Sequence, residues 1–526
     1  MPKRAFILAA LFIVPASVSA GGRYYVNSLW SWGPEAKDSA YVREYIDESK
    51  KLGFNAFSTD VGWGILREDG THDWEQFDRT AEYALSQGLN LFVRVNTSLY
   101  SKPYWLTDEH LACEKSGEPF IDPRPKLGIP SISNPEVLRR AAAFYRALTS
   151  HCRERFGSGR VVCFSAAFTL YMESEYWEQI DYSAAAKADF LEWAKREYAS
   201  VSSLNEKWGT HHKSRQDIDL VTAHQTAQEL YFEYSLKRFL DTMSSAAKEG
   251  DPKAKFGMQT GCIWDCWWRR TMNCAGLLEN CDWLFVADAP TYPHGWTCDY
   301  LRGVAQDKVR VSNEIDGPYL KQLTNERILN QGVETWDHCV DTVIVCNWKL
   351  DNLKDPKFTA LGELGKLAKK PAKAINADRA IYVSAWDIIH GDGHGLYEQF
   401  YNGLADKASR PVDIIHDSVF DRRPEVLKRY EEIYLPRNKR IPEASRRALL
   451  TVKDRLRISK PSLAGTADEY NRPTRSLTEE MASDAAVHLR RTTGSRRFPC
   501  RRDLRIPIAA GSPSGDGSYK WANMRT

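Results

Sequence analysis

A closed (β/α)8 TIM barrel followed by a smaller α/β domain is the fold that the sequence predicts. Three observations predict it. Eight short β-rich runs alternate with helical patterns between Tyr24 and about Leu367; polar and aromatic residues gather where several of those runs end; and the alternation restarts near Ala377, after the lysine-rich connector "GKLAKKPAKAINAD".

The runs follow one another in order. "YYVNSLW" and "NAFSTDV" are the first two candidate strands, and the helical "TAEYALSQG" leads from them to "NLFVRVN". "VVCFSAAFTLYM" is the fourth, and the long pattern "LYFEYSLKRFLDTMSSAAKEG" separates it from "KFGMQT". "WLFVADA", "KVRVSNE" and "DTVIVCNW" complete the eight. In the second domain "RAIYVSAW", "PVDIIHD" and "EEIYLPR" read as strands, with "GLYEQFYNGLADK" and "PEVLKRYEEI" as helices. The expected boundaries are 1–20 for a signal peptide, 21–370 for the barrel, 371–452 for a truncated second domain and 453–526 for a basic tail. That tail is expected to be largely disordered, because apolar periodicity stops and Arg, Gly, Ser and Pro take over.

Residues 1–20 place Lys3 and Arg4 before an apolar run from Ala5 to Val14, then Val18-Ser19-Ala20 as a small-residue cleavage site. That order is that of a secretory signal, so export to the periplasm or the medium is expected. The apolar run is too short for a membrane anchor. With 72 basic and 69 acidic side chains and a net charge of +3, no global field favours nucleic acid. Eleven cysteines in an exported chain permit disulfides. Cys262, Cys266, Cys274 and Cys281 cluster, and their spacing lacks the paired C-x2-C of structural zinc sites, so bridges or buried free thiols are expected ahead of a metal.

In a barrel of this kind the chemistry sits at the C-terminal ends of the strands. "MESEYW" ends the fourth run and places Glu173 and Glu175 there, two residues apart and on one face if the strand continues that far; Glu178 falls in the loop beyond. "NEIDGP" ends the seventh and places Glu314 across the mouth. Glycoside hydrolysis needs two carboxylates flanking the scissile bond, one as general acid and one as nucleophile or base, and about 5–5.5 Å between them gives retention of configuration. Each glutamate could instead be a rim ion pair. The 17 tryptophans include several in irregular stretches, "SLWSWGPE" and "IWDCWWRR" among them, where indole faces suit sugar stacking; Trp264, Trp267 and Trp268 could wall further subsites.

Several motifs then converge. "GWGILREDGTHDWEQFDRTAEYALSQGLNLFVRVNTS", "SKPYWLTDEH", "SEYW", "FLEWAKREYASVSSLNEKWGT", "DAPTYPHG" and "RVSNEIDGP" resemble, in that order, segments of the glycoside hydrolase family 42 β-galactosidases. The L-N-x-x-W-G-T ending is the most specific of them. The resemblance runs from about Trp30 to about Val452. It implies Glu175 as acid/base, Glu314 as nucleophile, Tyr292 as the hydroxyl that hydrogen-bonds the nucleophile, and Trp348 as the sugar platform, with Trp63 expected to line the same pocket. Glu173 remains a competitor of Glu175. Where the family has Asn before the acid/base this chain has Ser174, so a shorter hydroxyl stands in for the amide contact to the sugar 2-hydroxyl. The family's zinc-binding cysteines have no counterpart in "EQIDYSAAAKADF", and no cofactor is implied. The second domain resembles the family's flavodoxin-like trimerisation domain, which makes a homotrimer an expectation. The expected partner is an oligo- or polysaccharide: a β-galactoside, another β-linked glycan, or a glycan merely bound by a non-catalytic barrel.

Overall fold

The computed structural model describes residues 22–483 apart from 30–33, 124–125, 171–172, 175–180, 262–273, 287–293, 307, 316–322, 346–348, 373–374, 392–393, 405 and 408. Eight parallel strands close into a barrel in sequence order. They are β1 (Tyr24–Leu29), β2 (Ala56–Gly62), β3 (Asn90–Asn96), β4 (Val161–Ala167), β5 (Phe256–Thr260), β6 (Trp283–Val286), β7 (Arg310–Ile315) and β8 (Thr342–Val345). Closure is made by β1 on β8, with Tyr24 opposite Thr342 and Asn27 opposite Val345.

Strand alternation sorts the side chains. Val26, Ala56, Phe92, Cys163, Trp283 and Phe285 form one apolar cluster within the barrel, whereas Tyr25, Phe57, Leu91 and Val93 belong to the clusters shared with the surrounding helices. At the N-terminal end of the barrel the Arg310 guanidinium lies 4.5 Å from the Trp283 ring centre and 4.8 Å from that of Tyr24, and is paired with Asp341 at 2.7 Å. Aromatic and paired ionic groups thus plug that end, leaving the polar end to the strand C-termini.

The helices carry their own start and stop signals. Helix Pro135–Phe156 has Asn134 accepting from the Glu136 and Val137 N–H groups, Pro at its first position and Gly157 at its end. Helix Val201–Trp208 ends at Gly209 in the left-handed conformation, φ 67°. Its motif "LNEKWGT" is structural: Leu204 and Trp208 are buried, the Trp208 indole donates to Tyr198 Oη at 3.0 Å, and the Asn205 side chain accepts from Thr210 Oγ1 at 2.9 Å.

The second sheet is parallel, in the order β10-β9-β11-β12, with β9 (Arg379–Val383), β10 (Val412–His416), β11 (Glu432–Leu435) and β12 (Leu456–Ile458). Two expectations change here. The fourth strand falls beyond residue 452, and ordered chain continues to Ser483, because the Arg446 guanidinium bonds the Arg475 carbonyl and Thr474 Oγ1, both at 2.8 Å, and Tyr470 and Leu477 are buried. The described residues up to Met481 also form one compact unit, so the sheet is not a separate body.

Its attachment is ionic as well as apolar. Helix His294–Ala305 lies on β10, and Arg302 bonds the Asp413 carboxylate at 2.6 Å and the Val412 carbonyl at 2.9 Å. A Cβ at Gly303 would lie 2.0 Å from the Ile414 carbonyl oxygen, so only glycine allows this approach. Gly303→Ala is therefore expected to push the helix off the sheet and cost about 1–3 kcal/mol, read as an earlier urea midpoint, despite the better helix propensity of alanine.

Among the described residues no helix is long and apolar enough to cross a membrane. Cys113, Cys152, Cys163, Cys281, Cys298 and Cys339 are free thiols, which removes Cys281 from the bridges expected of its cluster; Cys262 and Cys266 lie outside the described residues.

Candidate active site at the strand C-termini

Glu314 is the next-to-last residue of β7, in register with Ile344 of β8. Its side chain lines a cavity inside the barrel together with Ser28, Ser58, Arg94, Ser165 and Gln259. Val26, Phe92, Phe285 and Ile344 line the rest of it. Asp60 and Arg94 are register partners on β2 and β3, and the guanidinium grips the carboxylate through Nε at 2.6 Å and Nη2 at 3.1 Å, both side chains almost wholly buried. Ser165 Oγ donates to Gln259 Oε1 at 3.3 Å and Ser28 Oγ to the Val345 carbonyl at 3.3 Å. A carboxylate thus shares with a fixed guanidinium a cavity that holds hydrogen-bonded side chains.

Asp60 and Arg94 were visible in the sequence as single charges inside "NAFSTDV" and "NLFVRVN". A lone charge in a strand buried on both faces has to find a partner, and here the two partners occupy adjacent strands.

Behind Glu314, on the other face of β7, Asn313 Nδ2 donates to His294 Nδ1 at 2.8 Å and to Thr335 Oγ1 at 3.1 Å. Burial pushes the His294 imidazole down to about 4, which keeps it neutral and able to accept. The nucleophile candidate is in this way braced against the start of the helix that follows β6.

The fourth strand ends earlier than its apolar run suggests. β4 stops at Ala167, and the Glu173 carbonyl accepts from the Phe168 and Thr169 N–H groups at 2.9 and 3.1 Å. Glu173 and Ser174 therefore sit in a turn beyond the strand, and the extended-strand reason for pairing Glu173 with Glu175 does not hold. Glu173 is buried. Ser174 belongs to the wall: its hydroxyl donates to the Ala166 carbonyl at 2.6 Å and accepts from Gln259 N at 3.4 Å, while its N–H donates to the Gln259 carbonyl at 2.6 Å. It joins β4 to β5 instead of offering a free hydroxyl to a sugar. Ser174→Ala is expected to cost about 1 kcal/mol in urea unfolding. Ser174→Asn, too large for the site, is expected to cost about 1–3 kcal/mol in the same measurement.

Trp63 is also placed differently from expectation. It follows β2 with 2% of its surface exposed, its indole N–H donates to the Ser98 carbonyl at 3.0 Å, and its ring meets Trp105 edge to face at 5.2 Å. Both indole edges are committed to protein, so it supports the mouth without walling a subsite. Glu175, Tyr292, Trp348, Trp264, Trp267 and Trp268 lie outside the described residues.

A family model described as β-galactosidase matches residues 31–239. The match is to glycoside hydrolase family 42. The family 42 segment covers β2, β3 and β4 and the "SEYW" stretch, while Glu314 lies beyond it. A curated relative, β-galactosidase BbgII of Bifidobacterium bifidum, is 25% identical over 195 residues, which are 35% of this chain and 26% of that one. The chain thus spans about a quarter of the length of this curated relative. Among solved structures, the polyextremophilic β-galactosidase of the Antarctic haloarchaeon Halorubrum lacusprofundi superposes with TM-score 0.69 at 16% identity, over 86% of this chain and 74% of that one. The exo-carrageenase GH42 of Bacteroides ovatus superposes with TM-score 0.60 at 13% identity, over 89% and 71%. At those identities the structures speak for the fold alone.

Proposed function

We propose that the chain is an exported retaining glycoside hydrolase that acts on β-galactosides or related β-linked glycans. The observation that carries the reading is Glu314 at the end of β7, facing the barrel interior beside the fixed Asp60–Arg94 pair. In a barrel of this kind that position belongs to the reacting groups. Glu175 protonates the glycosidic oxygen as the Glu314 carboxylate attacks the anomeric carbon, forming a glycosyl ester and releasing the aglycone. Glu175 then takes a proton from water, which attacks the same carbon and frees Glu314; two inversions give net retention.

Export rests on the charged, apolar and small-residue order of residues 1–20. A trimer rests on the resemblance of the second sheet alone, and light scattering giving the mass of a monomer would remove it. Substrate choice is the open part of the reading. The shared fold of a β-galactosidase and an exo-carrageenase supports a second version, the same chemistry on another galactose-containing glycan. The test is turnover of aryl β-galactosides, galactan and carrageenan by the wild type, Glu175→Gln and Glu314→Gln. Turnover by the wild type alone is expected on at least one of them. Equal turnover by all three proteins removes the two-glutamate assignment, and no turnover by any leaves a glycan-binding barrel.

A further inference from the structure

Among the described residues, the large hydrophobic side chains that stand exposed are Tyr100 at 36%, Tyr104 at 49% and Ile121 at 48%. All three belong to one connection, the long loop from β3 to helix Pro135–Phe156, which leaves the barrel at its C-terminal end. Exposure of two aromatic rings at the C-terminal end of the barrel calls for an explanation, because the loop is not loosely built.

The loop is held from below. Trp63 bonds the Ser98 carbonyl and packs on Trp105, as described above. Gly64 N donates to Ser101 Oγ at 2.9 Å, and a Cβ at Gly64 would lie 2.6 Å from the Ser101 carbonyl oxygen, so the segment after β2 presses directly on the backbone next to Tyr100. Ser98 Oγ accepts from Tyr100 N at 3.2 Å. Pro103 and Leu106 are buried on either side of exposed Tyr104, joined by a turn from Leu106 N to the Pro103 carbonyl at 3.2 Å. The Arg140 guanidinium lies 5.3 Å from the Trp105 ring centre. The two tyrosines are thus presented by a braced scaffold, as a binding surface needs.

The surroundings select the kind of ligand. Lys102, Thr107, Asp108 and Glu109 are exposed between and beside the rings. The core of a protein interface is depleted of such charges. A sugar chain presents apolar C–H faces edged by hydroxyls, which matches single aromatic rings set among polar groups.

We propose that Tyr100 and Tyr104 form an aromatic rim that binds the sugar units of a galactose-based polysaccharide chain next to the one being cleaved. The proposal rests on the glycosidase reading for the identity of the sugar. It makes Trp63 their brace.

The experiment compares wild type, Tyr100→Ala, Tyr104→Ala and the corresponding Phe variants in two assays. The first is hydrolysis of an aryl β-galactoside and of β-linked galacto-oligosaccharides of increasing length. Both Ala variants are expected to keep the aryl β-galactoside rate, while KM for the longer oligosaccharides rises about 3- to 10-fold at unchanged kcat; the Phe variants stay near wild type. The second is retardation in native gels containing galactan or carrageenan, run with Glu314→Gln as background so that catalysis plays no part. The Ala variants are expected to migrate faster than their background protein. Loss of the same factor on the aryl substrate, KM independent of chain length, or unchanged retardation overturns the rim. So does a changed oligomeric mass of the Ala variants in light scattering, which would make the rings a contact with a second copy. A wild type that hydrolyses nothing yet is retarded through the tyrosines would sink the glycosidase reading and leave the rim standing.

Discussion

Glu314→Gln is expected to lower turnover on the order of 10³-fold or more while leaving the fold intact. Gln has nearly the volume of Glu and keeps a carbonyl oxygen for the neighbours that line the cavity, so the barrel interior need not repack. What it lacks is the charge that the proposed mechanism directs at the anomeric carbon. The loss should persist with every leaving group, because the nucleophile attacks in the same step in which the aglycone departs, and a better leaving group does not replace it. Glu175→Gln is expected to behave differently: kcat/KM falls about 10²–10⁴-fold on glycosides with poor leaving groups and little on activated aryl glycosides whose first step needs no proton, while kcat on the latter falls because the glycosyl ester has lost its base. A further arm makes the assignment positive. In Glu314→Ala, azide can enter the space of the missing carboxylate and attack the anomeric carbon from the same side, giving a glycosyl azide of inverted configuration. Recovery of that product identifies Glu314 as the nucleophile; an equal fall for both glutamate variants on all leaving groups, with no azide product, would argue that Glu314 only holds the cavity together.

The contrast between Glu314 and Glu173 shows what the sequence could carry. The eight barrel strands were legible because parallel strands buried on both faces read as short apolar runs, and the end of β7 coincides with the end of its run. The fourth run continues through "FTLYM" with no polar break, yet β4 ends at Ala167. The reason is local: the Glu173 carbonyl collects the Phe168 and Thr169 N–H groups and closes a turn that no periodicity marks. Ser174 looked like a substrate contact because of its position in the motif. Its role is set by Ala166 and by Gln259, a distant residue that the sequence gives no reason to place beside it. Trp63 likewise read as an indole available to a sugar, and only its contacts with Ser98 and Trp105 show that its edges are taken. The end of the second sheet was missed for another reason. β12 is three residues long, and the segment behind it is tied by Arg446 to backbone carbonyls, an anchoring that composition reads as disorder.

Arg302→Met is expected to destabilise the whole described unit by about 3–5 kcal/mol, the usual cost of leaving a buried charge without its partner. The guanidinium is almost fully enclosed and serves two carboxylates, Asp413 at 2.6 Å and Asp299 at 2.7 Å, as well as the Val412 and His338 carbonyls. Burial pushes the Asp413 carboxyl up, and the Arg302 charge is the largest force pulling it back. Without Arg302 the carboxyl rises further above its unfolded value, so the folded variant favours the protonated acid. Its deficit is then greatest at alkaline pH and narrows as pH falls through that raised value. His338 acts in the same direction. Its Nδ1 lies 2.7 Å from Asp299, which outweighs burial and raises its pKa, so at lower pH the imidazolium can take over part of the lost charge. Urea midpoints of the wild type and Arg302→Met at pH 5.5 and 8.5 test the argument, with the wider gap expected at 8.5. The shape of the transition carries a second result. A single transition fits a sheet that unfolds with the barrel, whereas two transitions with a surviving barrel would make the sheet a separate folding unit despite its compact packing. The helix that carries Arg302 begins at His294, which accepts from Asn313 beside Glu314. A variant that loosens this helix should therefore lose turnover before it loses the barrel, and activity measured below the urea midpoint reads that coupling directly.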